Sequence, residues 1–316
     1  MFNFFGKFKS ILSQEFENLL SDKYLLDKNQ YESLLTLIGK LHIERVENIK
    51  KIHSLKEVEF KVFSQFGVDG IIQYLINKIK IPNEIFIEFG ASDYLESNTR
   101  FLLMNNNWKG LIIDGSKEYI DFIKKDRIYY RHQLTAIQSF ITKDNINDLI
   151  KSNIKIKDIG LLSIDIDGND YWVWKEINAV RPIIVICEYN NLFGWKDALV
   201  VPYQKNFVVY KAHYSCLYFG TSIRALVDLA QRKGYDFIGC DSEGVDAIFV
   251  RKEFSRPFKK VTVKEGFVEG KFRISRDKQG NFNYLDREQA IYLISQMKAY
   301  DLNLKKLVPL KNYKLE

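Results

Sequence analysis

Carboxylate and amide side chains follow two apolar runs in the middle of the chain, at the point where each run ends. The run in LLSIDIDGNDYWVW is followed by Asp165, Asp167 and Asp170, and the run in RPIIVICEYNN by Glu188 and Asn190. Runs as apolar as these are typical of strands covered on both faces of a parallel sheet. Parallel strands end at the same edge, so we expect these side chains to meet there. Asp170, Glu188 and Asn190 are predicted to contact a substrate.

The same acidic residues suggest a second interpretation, a divalent metal site. Residues i and i+2 of a strand point the same way, so Asp165 and Asp167 can converge on one ion, together with Glu188. The ion would bind an acceptor hydroxyl and lower its pKa. Asp-Gly-Asn-Asp is also ordinary composition for a turn and a helix cap, which needs no metal. Both interpretations stay open.

A βαβ pattern over residues 84–116 precedes these strands. Small residues and a carboxylate follow its two apolar runs. They are Gly90, Ala91, Ser92 and Asp93 after the first run, and Asp114 and Gly115 after the second. Small residues let backbone N–H groups approach a ligand, and an acidic residue about 20 positions further on can accept both hydrogens of a ribose diol. The pattern predicts a site for the nucleoside half of a cofactor.

A polar loop precedes the first strand of that pattern. Its sequence, SQFGVDG, includes Ser64 and Gln65, which can donate and accept hydrogen bonds, and it leads into a helix with an apolar face. We therefore expect Gln65 to line the cofactor crevice. Helix capping and turn formation are the alternative explanation for these residues.

Three side chains outside the strands are further candidates for contact with a substrate. His213 follows the second acidic cluster and is a candidate general base, although a lone histidine is more often structural. Arg273 and Arg276 lie in the basic tail of the chain. If that segment folds over the site, they are expected to hold a phosphate or carboxylate group. A solvated edge strand is the alternative.

Composition excludes several classes of protein. The 316 residues are 46% hydrophobic, enough for a globular core, and no apolar run approaches the roughly 18 residues that span a bilayer. No basic region followed by an apolar stretch opens the chain, so a cytoplasmic protein is expected.

Cys187, Cys216 and Cys240 lack the spacing of a zinc site. The net charge of +7 is spread along the chain, which favours a phosphorylated or acidic small substrate over nucleic acid.

Helical spacing dominates the first 57 residues. Apolar side chains near one face of each of two helices are Phe2, Phe5, Phe8 and Leu12 in the first, and Leu34, Leu37, Ile38 and Leu41 in the second. Lys7 and Lys9 flank the first face, as in a helix that lies on a membrane surface. Packing of these helices on the domain, or on a second subunit, is the favoured alternative.

Three regions are predicted along the chain. A helical extension (1–57) precedes a core domain (58–255), and a C-terminal extension (256–316) packs on that core. Within the core, a third strand-like run covers Arg127–Leu134. The core ends in a helix followed by two strands, YDFIGCD and DAIFVRK, joined by a short turn. The second of these strands is predicted to insert antiparallel into an otherwise parallel sheet.

The order of the motifs FIEFGASD, GLIIDGS, LLSIDIDGNDYWVW, VICEYNN and KGYDFIGCDSEGVDAIFV resembles that of class I S-adenosylmethionine-dependent methyltransferases. More narrowly, the chain resembles the FkbM-like proteins associated with bacterial surface polysaccharide biosynthesis, which often carry a stretch like VFSQFGVDGIIQYLI before the first strand. The resemblance covers residues 58–255. It implies an α/β, Rossmann-like sheet of seven strands with an antiparallel last strand, S-adenosylmethionine as donor, and methyl transfer to an oxygen of a sugar or sugar-linked group. The first loop departs from the family, because Ala91 and Ser92 stand where further glycines are common.

The resemblance also implies roles for individual residues. Glu88 to Asp93 would surround the methionine and ribose portions of the cofactor, Asp114 would hold the ribose hydroxyls, and Asn98 would either reach the ligand or cap a helix. Asp165 would lie near the sulfonium cation. Direct displacement needs a base for the acceptor hydroxyl, and the candidates are Asp165, Asp167 and His213.

Two other classes of protein compete with this interpretation. An NAD(P)-dependent oxidoreductase would use Asp114 for its ribose in the same way, although the chain lacks the GxGxxG motif. A non-catalytic scaffold with a methyltransferase fold would fit the glycine-poor first loop and the long helical N-terminus. Binding of a cofactor without turnover would distinguish the scaffold from an enzyme.

Overall fold

The structure is a computed structural model that describes residues 28–271 and 273–316. Its strands are β1 (Ile85–Phe89), β2 (Lys109–Asp114), β3 (Leu134–Gln138), β4 (Asp158–Ile164), β5 (Arg181–Glu188), β6 (Leu199–Val200), β7 (Tyr235–Cys240), β8 (Asp246–Arg251), β9 (Lys298–Asp301) and β10 (Lys306–Pro309). Its helices are α1 (Lys28–Glu47), α2 (Val68–Lys78), α3 (Arg100–Asn106), α4 (Lys117–Lys125), α5 (Arg127–Arg131), α6 (Ile146–Asn153), α7 (Asp170–Glu176), α8 (Val209–Ala212), α9 (Ile223–Lys233), α10 (Val263–Gly266) and α11 (Arg287–Ile294).

Seven strands form one sheet in the order β3-β2-β1-β4-β5-β8-β7. Neighbours from β3 to β5 pair in parallel, whereas β8 runs antiparallel to both β5 and β7. This confirms the predicted mixed sheet and its antiparallel insertion. Two separate apolar clusters lie on the two faces of the sheet, which is why β1, β2, β4 and β5 consist of nearly continuous apolar runs.

The third strand of the sheet lies further along the chain than predicted. The segment Arg127–Arg131, expected to be extended, is the helix α5, and β3 begins only at Leu134. The side chain of Asp126 caps this helix by accepting a hydrogen bond from the backbone N–H of Ile128 (3.0 Å). A capping residue directly before Arg127 therefore starts a helix where the composition of the segment predicts a strand.

A second, smaller sheet joins the end of the chain to the core. Strand β6 pairs antiparallel with β9, and β9 pairs with β10. A third apolar cluster lies against this sheet and combines side chains from both parts of the chain, including Phe193 and Leu199 with Ala299 and Leu310. The C-terminal segment is thus held to the core by both hydrogen bonds and apolar packing.

Helix α1 packs on the domain through only one of its faces. Val46 is buried, and Leu35 and Ile43 are partly buried against the same apolar cluster. The residues predicted to share a packing face, Leu34, Leu37, Ile38 and Leu41, are exposed instead. The helix therefore packs on the domain through Leu35, Ile43 and Val46, while these four side chains are left exposed, and packing on a second subunit stays a prediction. The predicted face of Phe2, Phe5, Phe8 and Leu12 lies outside the described residues.

Across 28–271 and 273–316, no helix combines the length and the apolar composition that a bilayer span requires.

Gly90 is required where β1 ends beside β4. Its φ is +72°, and a Cβ atom at this position would overlap the backbone carbonyl oxygen of Asp165. No rearrangement of a side chain relieves an overlap with backbone, so the small residue fixes the distance between the two strand ends. Gly220 has a similar φ of +63°, but a Cβ atom there would meet nothing within 4 Å.

This difference predicts unequal losses of stability for two alanine variants. Gly220→Ala should cost about 1–2 kcal/mol, the penalty of a left-handed backbone for an L-residue. Gly90→Ala should lose at least about 2 kcal/mol more, since it also displaces the backbone of Asp165. Urea-induced unfolding of the two variants measures the difference. Equal losses of stability in the two variants would show that the close approach of β1 and β4 does not restrict the size of the side chain at position 90.

Candidate functional site

The carboxyl ends of β1, β4 and β5 open onto a cavity of about 1150 Å³. It gathers eight of the residues singled out in the sequence as cofactor, substrate or catalytic contacts. These are Gln65, Gly90, Ser92, Asp165, Asp167, Glu188, Asn190 and Arg273. The edge of the sheet that the sequence marked with carboxylates is therefore the floor of this cavity.

Three carboxylates lie together on this floor. Oxygen atoms of Asp165, Asp167 and Glu188 lie within 4.8 Å of one another. Among the described residues no lysine or arginine forms an ion pair with any of the three. The Oε2 atom of Glu188 is buried and has no hydrogen-bond partner there. The cluster lacks a positive charge and has an unused buried ligand atom.

The pKa values of these carboxyl groups are raised, as expected for buried acids without a neighbouring positive charge. Burial raises the pKa of Asp165 well above its ordinary value, and the charges of Asp167 and Asp170 raise it further. Burial also raises the pKa of Glu188, with Asp165 as the main neighbouring charge. A cation bound beside the cluster would reverse these shifts by favouring the charged forms. The site is electrostatically suited to a positively charged ligand.

Asp170 lies beneath the cluster and outside the lining of the cavity. Its side chain is fully buried, and its two oxygens accept hydrogen bonds from the backbone N–H groups of Ile166 (2.8 Å) and Gly168 (2.9 Å). These bonds hold the turn that presents Asp165 and Asp167. Burial raises the pKa of Asp170 to about 6. The structure gives Asp170 a positioning role and does not place it in reach of an acceptor in the cavity.

Asn190 lines the cavity, but its side chain is already bonded. Its Nδ2 donates to the carbonyl oxygens of Leu217 and Phe219 (both 3.0 Å), and its Oδ1 accepts from the N–H of Leu192 (3.1 Å). These bonds join the loop after β5 to the segment before α9. Asn190 shapes the wall of the cavity through them.

Glu88 is turned away from the cavity. Its buried carboxylate accepts hydrogen bonds from the Ser97 hydroxyl (2.7 Å), the Asn98 N–H (3.0 Å), and both the N–H and the hydroxyl of Thr99. The Asn98 side chain donates to Asp246 (3.3 Å) and to the Ser163 hydroxyl. Neither residue lines the cavity; both fix the segment before α3.

Asp114 secures the loop that follows β1. Its carboxylate accepts hydrogen bonds from the N–H of Ser92 (3.1 Å) and of Ser116 (2.7 Å), and burial raises its pKa. It lies just outside the lining of the cavity. The pKa of Asp167 is raised by desolvation of its carboxylate and, in addition, by the charge of Asp114, so the two carboxylates are electrostatic neighbours. Each oxygen of Asp114 accepts one hydrogen bond and can accept another.

The remaining predicted cofactor contacts lie beside this loop and outside the lining of the cavity. Ala91 is buried and Gly115 is exposed. Asp93 accepts a hydrogen bond from the N–H of Leu95 (3.0 Å), an ordinary turn within the loop. No direct contact of these three residues with the cavity is seen.

His213 and Arg276 also lie away from the lining. The Nδ1 atom of His213 shares a hydrogen bond with the Ser215 hydroxyl (2.7 Å), and burial lowers its pKa. The Arg276 guanidinium donates to the Gly280 carbonyl oxygen (3.0 Å) and lies over the ring of Phe282. The structure thus places neither side chain beside the acidic cluster.

The far wall of the cavity comes from the C-terminal segment, and of the two arginines predicted to reach the site from it, Arg273 lines the cavity and Arg276 does not. Acidic side chains in the lining are Asp165, Asp167, Glu188, Glu269, Asp286, Glu288 and Glu316, and basic ones are Lys271, Arg273 and Arg287. Arg273 is exposed and forms no hydrogen bond or ion pair with other described residues. The excess of acidic groups does not fit the expected preference for an acidic acceptor.

Arg287 fixes this wall to the floor. Its guanidinium donates to the carbonyl oxygens of Asn191 and Leu315 (both 3.0 Å). The local sequence pattern in this part of the wall is the capping box of α11, where Asp286 and Gln289 exchange hydrogen bonds. That pattern predicts the helix and says nothing about its neighbour across the cavity.

Comparison with known proteins gives no family assignment, because no family model and no curated protein matches the sequence. Solved structures that it resembles include M. capricolum TrmK and an O-methyltransferase from Bacillus cereus, both bound to S-adenosylhomocysteine, and a putative caffeoyl-CoA O-methyltransferase from Staphylococcus aureus. Their sequence identities are 12%, 14% and 13%, and their TM-scores are 0.36, 0.37 and 0.35. The similarities cover 60%, 73% and 76% of this chain, and 69%, 94% and 99% of theirs.

Similarities this weak carry no functional argument, so the fold is assigned from the chain's own topology. The order β3-β2-β1-β4-β5 is that of a Rossmann-type sheet, and the antiparallel β8 lies between β5 and β7. Together they define a Rossmann-like sheet of seven strands with an antiparallel insertion, the topology that the resemblance to class I methyltransferases implies.

Buried acids at this edge predict a stability that falls as pH rises. Asp246 begins β8 opposite Glu188, and burial together with the charge of Asp241 raises its pKa to about 8. Because the unfolded value is lower, the folded state holds a proton that the unfolded state has lost. Stability from this group is therefore greatest at low pH and declines as pH rises towards about 8.

Asp246→Asn should flatten this decline. A single group contributes at most about 1.4 kcal/mol per pH unit to the slope, and the variant removes that contribution while keeping the side chain's size. Urea unfolding between about pH 5 and pH 8 measures the slope, with the exposed Asp148→Asn as matched control. A slope that is the same in both variants would contradict the raised pKa of Asp246.

Proposed function

We propose that the chain is an S-adenosylmethionine-dependent O-methyltransferase that acts on a sugar or sugar-linked group in bacterial surface glycan assembly. The observation that carries this proposal is the unneutralised cluster of Asp165, Asp167 and Glu188 at the carboxyl edge of a methyltransferase-type sheet. The Gly90 loop and Asp114 lie beside it, as a nucleoside cofactor requires. The likeness of the sequence motifs to FkbM-like proteins supports the glycan assignment.

The chain's own residues would hold the cofactor in two ways. Asp114 has an unused acceptor position on each oxygen for a ribose hydroxyl, in addition to its bonds to Ser92 and Ser116. The acidic cluster would lie close to the sulfonium, a fixed positive charge that neutralises part of it. When bound, S-adenosylmethionine supplies the electrophilic methyl group that an acceptor oxygen attacks.

Proton removal from the acceptor falls to the cluster. Asp165 and Asp167 both line the cavity, and each has a raised pKa, which brings its basicity closer to that needed at neutral pH. A positioned base contributes about 10²–10⁴-fold, and alignment of the two reactants contributes more. His213, the third candidate base, is not in the lining of the cavity.

A divalent metal ion is a second occupant that the same residues fit. Three carboxylates with oxygens within 4.8 Å of one another, one with an unpartnered buried oxygen, form a hard-cation ligand set. Asp165, Asp167 and Glu188 would hold the ion, and the ion would lower the pKa of an acceptor hydroxyl. This role would replace that of a free carboxylate base.

The acceptor is best described as a polyhydroxylated group. Acidic side chains outnumber basic ones around the cavity, which disfavours a highly charged anion, while Arg273 is free to contact one anionic group at the far wall. Trp195, Phe219 and Phe267 supply apolar surface in the same lining. A sugar fits this lining, because carboxylates can accept hydrogen bonds from its hydroxyl groups and aromatic rings can pack against its apolar C–H surfaces.

Asp114→Ala should weaken the binding of S-adenosylmethionine by at least about tenfold, because about 1.4 kcal/mol of charge-assisted hydrogen bonding to the ribose is lost. Titration calorimetry gives the dissociation constants, with the exposed Asp148→Ala as control. Asp114→Asn keeps the size of the side chain and serves as a second variant in case Asp114→Ala does not fold. Unchanged affinity in well-folded Asp114 variants would remove the cofactor assignment.

Asp165→Asn and Asp167→Asn should lower methyl transfer more than cofactor affinity, because each removes a proton acceptor or metal ligand. Transfer of a labelled methyl group to a panel of sugars and sugar nucleotides measures the turnover. Chelation by EDTA distinguishes the two roles: a carboxylate base survives it, whereas a metal site loses activity until Mg²⁺ or Mn²⁺ is restored. Full activity in both variants would move the base elsewhere.

A further inference from the structure

Helix α1 presents a continuous apolar face to solvent. The exposed side chains on this face are Tyr31, Leu34, Leu37, Ile38 and Leu41, each between 41% and 62% exposed. Their spacing places them on one side of the helix, while the opposite side packs on the domain through Leu35, Ile43 and Val46. An apolar strip of this kind, away from the core, marks an interaction surface.

A cationic groove runs along one edge of this strip. It has a volume of about 470 Å³, lies between α1 and α5, and shares Leu37 with the strip. Lys40, Arg127, Arg131 and His132 supply its positive or protonatable groups. No ion pair or side-chain hydrogen bond joins Lys40, Arg127 or Arg131 to another residue of the described segments.

The acids near the groove are mostly engaged elsewhere. Glu32 pairs with the buried Arg100 (2.8 Å), and Glu47 accepts a hydrogen bond from Asn77 (3.2 Å). Asp126, next to Arg127, lies 3.8 Å from Arg100 and accepts a hydrogen bond from the N–H of Ile128. Glu44 and Glu47 are the exposed acids of α1. The groove therefore keeps most of its positive charge.

We propose that the apolar face of α1 and the cationic groove together dock on a membrane surface that contains anionic lipids. The apolar side chains would enter the boundary between headgroups and acyl chains, with the helix lying in the plane of the membrane. Lys40, Arg127 and Arg131 would lie at the level of the lipid phosphates, where basic side chains are attracted to the leaflet. The ring of Tyr31 suits this interface because it is both apolar and polar.

Charge decides between this occupant and a second copy of the chain. Two copies that met along the same strip with their helices antiparallel would bring the Lys40, Arg127 and Arg131 side chains of both copies to one edge of the contact, where like charges repel. An anionic lipid surface neutralises those cations instead. Apolar side chains beside cations that have no ion-pair partner within residues 28–271 and 273–316 are therefore complementary to lipid and poorly complementary to a second copy of the same surface.

The test is co-sedimentation of the full chain with vesicles of phosphatidylcholine alone and of phosphatidylcholine mixed with phosphatidylglycerol. We expect binding to the mixed vesicles only, weaker at higher salt because exposed charges are screened. Leu37→Glu/Leu41→Glu should lower the partition coefficient at least about tenfold. Arg127→Gln/Arg131→Gln should weaken binding to mixed vesicles several-fold.

Matched controls keep the test specific. Leu304→Glu/Leu307→Glu changes two leucines that are 56% and 52% exposed at the other end of the chain, and Lys151→Gln/Lys157→Gln removes two exposed charges far from the groove. Both controls should bind mixed vesicles as the unmodified chain does, and circular dichroism checks that each variant is folded.

Several results would overturn the proposal. They are binding to neither kind of vesicle, equal binding to both kinds, or undiminished binding by the Leu37→Glu/Leu41→Glu variant, which would locate membrane contact in residues 1–27. A dimer seen in sedimentation velocity, abolished by that variant and accompanied by no vesicle binding, would make a second copy the occupant of the strip.

Discussion

Carboxyl groups taken out of water without a matching cation cost free energy, and this cost governs the carboxyl edge of the sheet. Asp165 and Glu188 are withdrawn from water there, the exposed Asp167 lies close to both, and no basic residue of the described segments forms an ion pair with any of the three. The fold tolerates this because the strands that carry them are buried between two large apolar clusters. Apolar packing of the sheet and its helices stabilises the fold, and this stabilisation offsets the cost of carboxylates that have no basic partner at the edge.

An unsatisfied acidic edge is a natural receptor for positive charge. Under the proposed function, the sulfonium of the cofactor or a divalent ion supplies that charge, and the acidic cluster then acts on an acceptor hydroxyl. The residues beneath the cluster prepare this arrangement. Asp170 holds the turn that carries Asp165 and Asp167, and Gly90 keeps β1 close enough to β4 for the two strand ends to share one cavity.

Much of the fold could be predicted from local sequence. Apolar runs marked β1, β2, β4 and β5, and a helix followed by two strands predicted the antiparallel insertion of β8. The position of a residue within a motif did not predict the direction in which its side chain points. Glu88 follows the expected pattern for a cofactor contact, yet its carboxylate is held away from the cavity by the N–H groups of Asn98 and Thr99 and the hydroxyls of Ser97 and Thr99.

The far wall of the cavity could not be predicted, because long-range contacts create it. Strand β6 pairs with β9 about a hundred residues later, and Arg287 bonds backbone oxygens of Asn191 and Leu315. No local pattern encodes such pairings. The same wall supplies most of the cavity's additional charged groups, which is why the composition of the acceptor site emerged only from the structure.

The most direct measurement is thermal unfolding of the full chain with S-adenosylmethionine, S-adenosylhomocysteine, NAD or NADP. A ligand at about 100 times its dissociation constant stabilises the folded state by roughly 2.7 kcal/mol, enough to raise the midpoint by several degrees. We expect the two adenosyl-sulfur ligands to raise the midpoint and the dinucleotides to leave it unchanged. A shift with NAD or NADP alone, or with none of the four, would contradict this expectation.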